Sequence, residues 1–185
     1  IAIMLIFRQI PSSVSHNIFY TLHPTHVILS AFVTASMYKI HKCGFLKGRC
    51  KLLIMFVIGY LGSVGIATLS DSVIPYIGEI LLDMPHRELH LGFIEKWWLI
   101  NPLAITGVIL AYFKPGTKIP HMGHVLLSTW ASLFHIITSL GAVVLWFQYL
   151  YIFVFLFLAV WLPCCVSDII FPLLFVKQPH NEKQN

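Results

Sequence analysis

Long apolar runs alternate with short polar segments along this chain. Five of the runs are candidate membrane-spanning helices: residues 24–40, 52–70, 98–113, 123–140 and 143–162. A helix needs roughly 20 mostly apolar residues to cross a bilayer core about 30 Å thick. The runs do not alternate apolar and polar residues, as the strands of a transmembrane barrel would. The pattern therefore predicts an all-α polytopic membrane protein with about five transmembrane helices.

Two further apolar pieces, residues 73–82 and 169–176, are too short to cross. Each follows an aspartate and contains a proline. Proline interrupts a helix because it lacks an N–H group and its ring clashes with the carbonyl four residues earlier. We expect a break or sharp kink around Asp71–Pro75 and around Pro163–Pro172, with both short pieces broken off as re-entrant or interfacial segments.

The overall composition agrees with a membrane protein. Hydrophobic residues make up 58% of the chain and charged residues 10%, whereas a soluble domain carries roughly 25% charged residues. The mean hydropathy is +0.83, so there is too little polar surface to cover a water-facing globule. We expect one transmembrane domain over residues 1–185, with the lipid bilayer as its partner, alone or together with other membrane subunits.

Charge is unevenly distributed over the polar segments. Segment 39–51 contains five basic residues and no acid, whereas segment 71–97 contains five acids and two basic residues. The positive-inside rule places 39–51 and the C-terminal tail 177–185 in the cytoplasm and 71–97 outside, in what we expect to be a bacterial inner membrane. The largest basic cluster behind the net charge of +5 is this loop, so no nucleic-acid partner is expected.

One polar motif occurs twice. The pattern H-x-x-H-V-x-L-S occupies 23–30 and 121–128, and S-D-x-x-x-P follows each copy, at 70–75 and 167–172. The aspartate lies 45 positions after the second histidine in the first copy and 44 in the second. This matched spacing predicts a duplicated unit. We expect repeat 1 over about 23–82, a linker and middle helix over about 83–114, repeat 2 over about 121–176, and a polar tail over 177–185.

The predicted number of crossings determines how the repeats are related. An odd number of crossings inverts the second copy relative to the first, as in many secondary transporters. We therefore expect the first motif near the outer face and the second near the inner face. Span 98–113 is short, however, and has Asn101-Pro102 near its start. If it does not cross, both motifs lie on one face and pool into a single dinuclear centre.

The histidines belong to polar stripes on two predicted helices. At 100° per residue, the polar residues of each helix fall on one face. These residues are His23, His26, Ser30 and Thr34 on the first helix, and His121, His124, Ser128, Ser132 and His135 on the second. Polar stripes of membrane helices face the bundle interior or a water-filled cavity, because exposing them to lipid is costly.

Each motif has the residue types of a transition-metal site, since imidazoles at i and i+3 can converge on one ion and an aspartate can complete it. The candidate ligands are His23, His26, Asp71, His121, His124, Asp168 and His135. Histidine with carboxylate suits Zn²⁺, Fe²⁺ or Mn²⁺, and we expect no thiolate beside these ligands, which argues against Cu(I). The alternative is that these histidines cap helix starts and hydrogen-bond between helices.

The acidic segment adds a third group of candidate ligands. His86 and His90 have the i, i+4 spacing of helical metal ligands, and acids surround them. The pattern is not H-E-x-x-H, because Glu88 is in the third position, so a zinc protease lacks its general base. The group is either a solvated loop or a vestibule that concentrates cations above the first motif.

The segment Ile66–Gly78 (IATLSDSVIPYIG) resembles a stretch of cytochrome b that ends in an I-P-Y-I-G turn. His121 and His135 are also 14 positions apart, the spacing by which one cytochrome b helix ligates two haems. The resemblance implies, as an alternative cofactor, haem b. The axial pairs would be His26 with His135 and His124 with His41. The first helix departs from that family, because Met37 stands 14 positions after His23.

Three functions follow from these patterns. The first is transport of a divalent cation or of protons between two half-sites. The second is a metal-dependent membrane enzyme, such as an oxidoreductase, acting on a hydrophobic substrate. The third is a haem-bearing or structural subunit of a larger membrane complex. Motifs on opposite faces favour transport, and motifs pooled at one place favour an enzyme.

Overall fold

The computed structural model describes residues 10–43, 51–139, 146–166 and 170–176, and this part of the chain is helical with no β-strand. The helices are α1 (Ser12–Cys43), α2 (Leu52–Thr68), α3 (Ile74–Leu81), α4 (Gly92–Glu95), α5 (Trp97–Phe113), α6 (Lys118–Ser139), α7 (Trp146–Cys165) and α8 (Phe171–Leu174). A π-helical segment, Leu69–Val73, joins α2 to α3. The predicted spans 24–40, 52–70 and 98–113 lie within helices, and so do the described parts of the other two, 123–139 and 146–162.

Three helical stretches in the described ranges are long and apolar enough to cross a membrane: Ser12–Cys43, Leu52–Leu81 and Trp146–Cys164. This points to a location in a membrane. Helix α5 has 17 residues, slightly fewer than a typical crossing. Helix α6 has 22 residues, carries a stripe of histidines and serines, and is not among these three.

The helix from Leu52 to Leu81 is continuous for 30 residues, roughly 45 Å at 1.5 Å per residue. The expected break at Asp71–Pro75 and the separate segment 73–82 are therefore wrong. Pro75 is instead accommodated by the wider π turn just before it, since such a turn relieves the lost hydrogen bond and the ring clash. For 169–176, the structure has α8 at Phe171–Leu174, while residues 167–169 lie outside the described part.

Helix α1 is the centre of the bundle. One core cluster joins it to α2 and α5 through residues such as Val27, Met55 and Val108, and a second joins it to α6 and α7 through Phe19 and Ile152. These side chains are almost fully buried. Close packing of these side chains holds α1 between the two clusters, because lipid tails are as apolar as the core and removal from water contributes little between membrane helices.

Helices α1 and α6 run antiparallel. Ser36 of α1 accepts a hydrogen bond from Gly116 just before α6, His26 stacks against His124, and Phe19 meets His135. As residue numbers fall along α1, they rise along α6. The polar stripes of the two helices therefore face each other in the interior of the bundle, as the sequence pattern predicts.

Candidate metal centre

Asp71 lies at the middle of the site. It belongs to the π segment and is fully buried, and π turns are often found at functional positions. Its Oδ2 is 2.9 Å from Nδ1 of His23 and 2.7 Å from Nδ1 of His26. The two histidines of the first motif thus meet the aspartate of the same motif, as the spacing predicts.

The other carboxylate oxygen of Asp71 is also occupied. Oδ1 accepts hydrogen bonds from the hydroxyls of Ser70, at 2.7 Å, and Ser128, at 2.9 Å. A further hydroxyl, that of Ser132, donates to the backbone carbonyl of Ser70 at 3.0 Å. Four groups therefore contact the Asp71 carboxylate, which matches the number of hydrogen bonds that a carboxylate can accept.

Two groups of side chains have ligand atoms close enough together for one metal ion. His23, His26 and Asp71 form one group, and His26, His124 and Cys164 form the other, with the ligand atoms of each within 4.8 Å of one another. All of these residues are buried. His26 is common to both groups, and its ring centre is 5.4 Å from that of His124.

The two copies of the motif meet at one level of the bundle. His26 of the first copy contacts His124 of the second, and Ser128 of the second bonds to Asp71 of the first. The expectation that the motifs lie near opposite faces is therefore wrong. His121 is half-buried with its ring 5.2 Å from that of His124. Asp168 lies outside the described residues.

The remaining candidate ligands gather toward the end of the bundle that carries residues 82–96, which we call the loop end. His135 is buried there, with Nε2 3.4 Å from Oε1 of Glu79, and its ring is 5.5 Å from that of His90. Burial, together with the charge of nearby His16, lowers the pKa of His90, while Glu88 opposes the shift. His86 is exposed and lines a pocket with His90.

The axial pairs implied for a haem are not brought together. His26 contacts Asp71 and His124, whereas His135 lies beside Glu79. His41 is 15 residues beyond His26 on the same continuous helix, about 22 Å at 1.5 Å per residue. His124, which stacks on His26, is therefore far from His41.

Sequence reasoning missed two residues of these clusters. Cys164 joins His26 and His124, so the expectation that no thiolate lies near the ligands is wrong. Glu79 did carry a signal, because it and Asp71 are the only charged residues of the Leu52–Leu81 helix. Ionisable residues inside membrane helices are rare and usually functional.

No known protein family, curated protein or solved structure matches this chain. The function is therefore inferred from the geometry of the site.

Proposed function

We propose that this chain is an integral membrane protein that holds a divalent transition metal with His26, His124 and Cys164, and that it is a metal-dependent enzyme acting on a hydrophobic substrate. The observation that carries the proposal is the convergence of both motifs on one buried site. Two imidazoles and a thiol suit Zn²⁺ better than Mn²⁺, which prefers oxygen ligands.

Asp71 has a positioning role in this proposal. Its carboxylate already accepts four contacts, so no lone pair is left for a metal. A carboxylate that binds Nδ1 of a histidine orients Nε2 of the same ring toward a metal and raises its basicity. Asp71 thus fixes the direction of His26, and Ser70 and Ser128 fix the direction of Asp71.

The separation of the two imidazoles supports a shared ion. Two rings bound to one tetrahedral zinc, with Zn–N bonds of about 2.0–2.1 Å, have centres roughly 5 Å apart. The rings of His26 and His124 are 5.4 Å apart. Three protein ligands are typical of catalytic zinc sites, in which the ion activates water or polarises a substrate carbonyl.

An apolar groove beside the site supports a hydrophobic substrate. It has a volume of about 450 Å³ and lies between Val125 and Leu133 of α6 and Phe157 and Trp161 of α7. Helix α6 also carries His124, and α7 carries Cys164. A substrate dissolved in the bilayer can therefore approach along the two helices that hold the proposed ligands.

Transport of a divalent cation is the second candidate function. It is supported by the second group of histidines and carboxylates at the loop end, Glu79, His90 and His135. This group lies between the pocket that His90 lines and the proposed metal site. Phe19 stacks on His23 and meets His135 edge-on. It thus separates the two groups, as a hydrophobic gate would.

Metal analysis of tag-free protein in detergent tests the site. We expect bound Zn²⁺ to be lost in His26→Ala and Cys164→Ser, and to bind roughly 10–100-fold more weakly in Asp71→Asn, as is typical for residues that orient ligands. His41→Ala is the matched control, because His41 is exposed on the same helix and bonds only to the Met37 carbonyl in the described part of the chain. Loss of metal in Asp71→Asn with none in Cys164→Ser would assign the ion to His23, His26 and Asp71 instead.

Zinc flux into proteoliposomes separates the two candidate activities. An enzyme gives no Zn²⁺-dependent signal from a dye trapped in the lumen, whereas a transporter gives a signal that His26→Ala abolishes. The same vesicles, made with a lipid extract, test for catalysis. Mass spectrometry should find a lipid of changed mass in vesicles with the wild type and none in vesicles with His26→Ala.

We also propose five crossings and an inverted repeat. The antiparallel packing of α1 against α6 supports the inversion.

The orientation in the membrane has evidence on both sides. The basic residues of 39–51 support a cytoplasmic position for that loop. Cys43 is disulfide-bonded, which is rare in the cytoplasm and favours the opposite orientation. Labelling of a single cysteine introduced at Lys47 by an impermeant reagent in intact cells decides between the two.

A further inference from the structure

The Glu79–His135 pair at the loop end is the second buried ionisable group of the bundle. Glu79 comes from α3 and His135 from α6, and both side chains are fully buried. Burying charged groups costs several kcal/mol unless they are well paired or bind a metal. The proposed site of His26, His124 and Cys164, which Asp71 orients and which we call the Asp71 centre, uses neither residue. Their presence therefore calls for a separate explanation.

The contact between the two side chains is poor as a hydrogen bond. Nε2 of His135 and Oε1 of Glu79 are 3.4 Å apart, beyond the 2.7–3.2 Å of ordinary N–H···O bonds. Within the described residues, neither oxygen of Glu79 and neither nitrogen of His135 has a hydrogen bond of normal geometry. Ser139 and the backbone of Glu88 lie against them.

The same distance fits two ligands of one ion. With metal–ligand bonds of about 2.0–2.1 Å, two ligand atoms of a tetrahedral zinc are roughly 3.3 Å apart. The rings of His135 and His90 are 5.5 Å apart, but the ligand atoms of His90, His135 and Glu79 do not all lie within 4.8 Å of one another, so His90 has to move inward to complete a three-ligand site. Histidine and glutamate are a donor set suited to Zn²⁺, Mn²⁺, Fe²⁺ and related ions.

A pocket lies next to this position, and of the three side chains only His90 lines it. It has a volume of about 310 Å³ and is lined by His16, His86, Glu88 and His90 among others. His90 is therefore at the boundary, with its side chain only 11% exposed and both nitrogens 3.6 Å from carboxylates, those of Glu88 and Glu95. A cation that enters the pocket meets imidazoles and carboxylates before it reaches the buried pair.

We propose that Glu79, His135 and His90 form a second divalent-cation site, separate from the Asp71 centre. The ligands come from α3, α6 and the segment before α4. An ion bound here ties residues 82–91 to the bundle, because His90 is the ligand from that segment. The proposal is independent of the enzyme and transport alternatives, since it concerns only this cluster.

Zinc stoichiometry of chelator-treated, tag-free protein tests the second site. We expect the wild type to bind two equivalents of Zn²⁺ and Glu79→Gln to bind one. The double variant with Glu79→Gln and His26→Ala is expected to bind none. His90→Ala is expected to give the same loss as Glu79→Gln. Asp83→Asn is the matched control, because Asp83 is an exposed acid of the same segment.

Hydrogen exchange gives a second readout. Zn²⁺ is expected to slow amide exchange in residues 82–91 of wild type and Asp83→Asn, and not of Glu79→Gln. If Glu79→Gln and His90→Ala both bind as much Zn²⁺ as wild type, the pair holds no ion and this proposal is overturned. If only His26→Ala leaves binding unchanged, the Asp71 centre fails as a metal site and the loop-end site stands.

Discussion

The close contact at Gly107 gives a stability prediction that can be worked out from the structure. A Cβ atom at Gly107 of α5 would lie 2.4 Å from the carbonyl oxygen of Ile28 and 2.9 Å from Cβ of Ala31, both on α1. Ordinary contact begins at 3.4 Å, so Gly107→Ala requires α5 to move away by about 1 Å. Small residues allow such close approach between membrane helices.

Gly65→Ala is the matched control, because a Cβ there meets nothing within 4 Å. Both glycines are inside helices, so the propensity gain of up to about 1 kcal/mol on changing glycine to alanine is common to both variants. The difference between them isolates the steric term. Overpacking of this kind typically costs about 1–3 kcal/mol, which is a roughly 5-fold to 150-fold change in the unfolding equilibrium.

Unfolding in detergent micelles with increasing dodecyl sulfate, followed by circular dichroism, measures the two free energies. We expect Gly107→Ala to be less stable than Gly65→Ala by the amount above. Equal free energies of unfolding for the two variants would refute the packing of α5 against α1 at this contact.

Three other measurements check the site. Gly92→Ala places a Cβ 2.7 Å from Cδ2 of His23, so it should displace the His23 ring from the Asp71 carboxylate. Zn²⁺ binding in an equilibrium titration should then be weaker than in wild type, whereas Gly65→Ala should leave it unchanged. The lowered pKa of His90 should appear as an NMR titration midpoint below 6.5 in chelator-treated protein, and His16→Ala should raise it. Because the folded protein then holds this proton less tightly than the unfolded chain, unfolding should become easier as the pH falls below about 6.5. Cys164 is buried, and mass spectrometry should find its alkylation by a membrane-permeant maleimide slower with Zn²⁺ than without; equal rates would remove it from the ligand set.

The local part of the site could be predicted from the sequence. The 3.6-residue period of the polar stripes correctly places His23, His26 and His124 in the interior, because a lipid-facing imidazole is costly. The matched spacing also brings His26 to Asp71. These predictions depend on the periodicity of single helices and on the cost of polar groups in lipid. Both follow from which residue types occupy which positions along the chain.

The depth at which the motifs meet could not be predicted in this way. It depends on the offset between α1 and α6, which tertiary packing determines. The continuity of the helix through Pro75 was missed because a proline in an apolar run usually breaks a helix, whereas here a π turn absorbs it. The approach of Cys164 depends on how α7 packs, which no local pattern records.

The helix from Leu52 to Leu81 carries one acid of each buried cluster. Asp71 and Glu79 are eight residues apart on it, roughly 12 Å at 1.5 Å per residue. The chain between them stays helical through the end of the π turn at Val73 and through Pro75. Because one helix carries both acids, a displacement of that helix that changes the Glu79–His135 distance is expected to change the contacts of Asp71 as well.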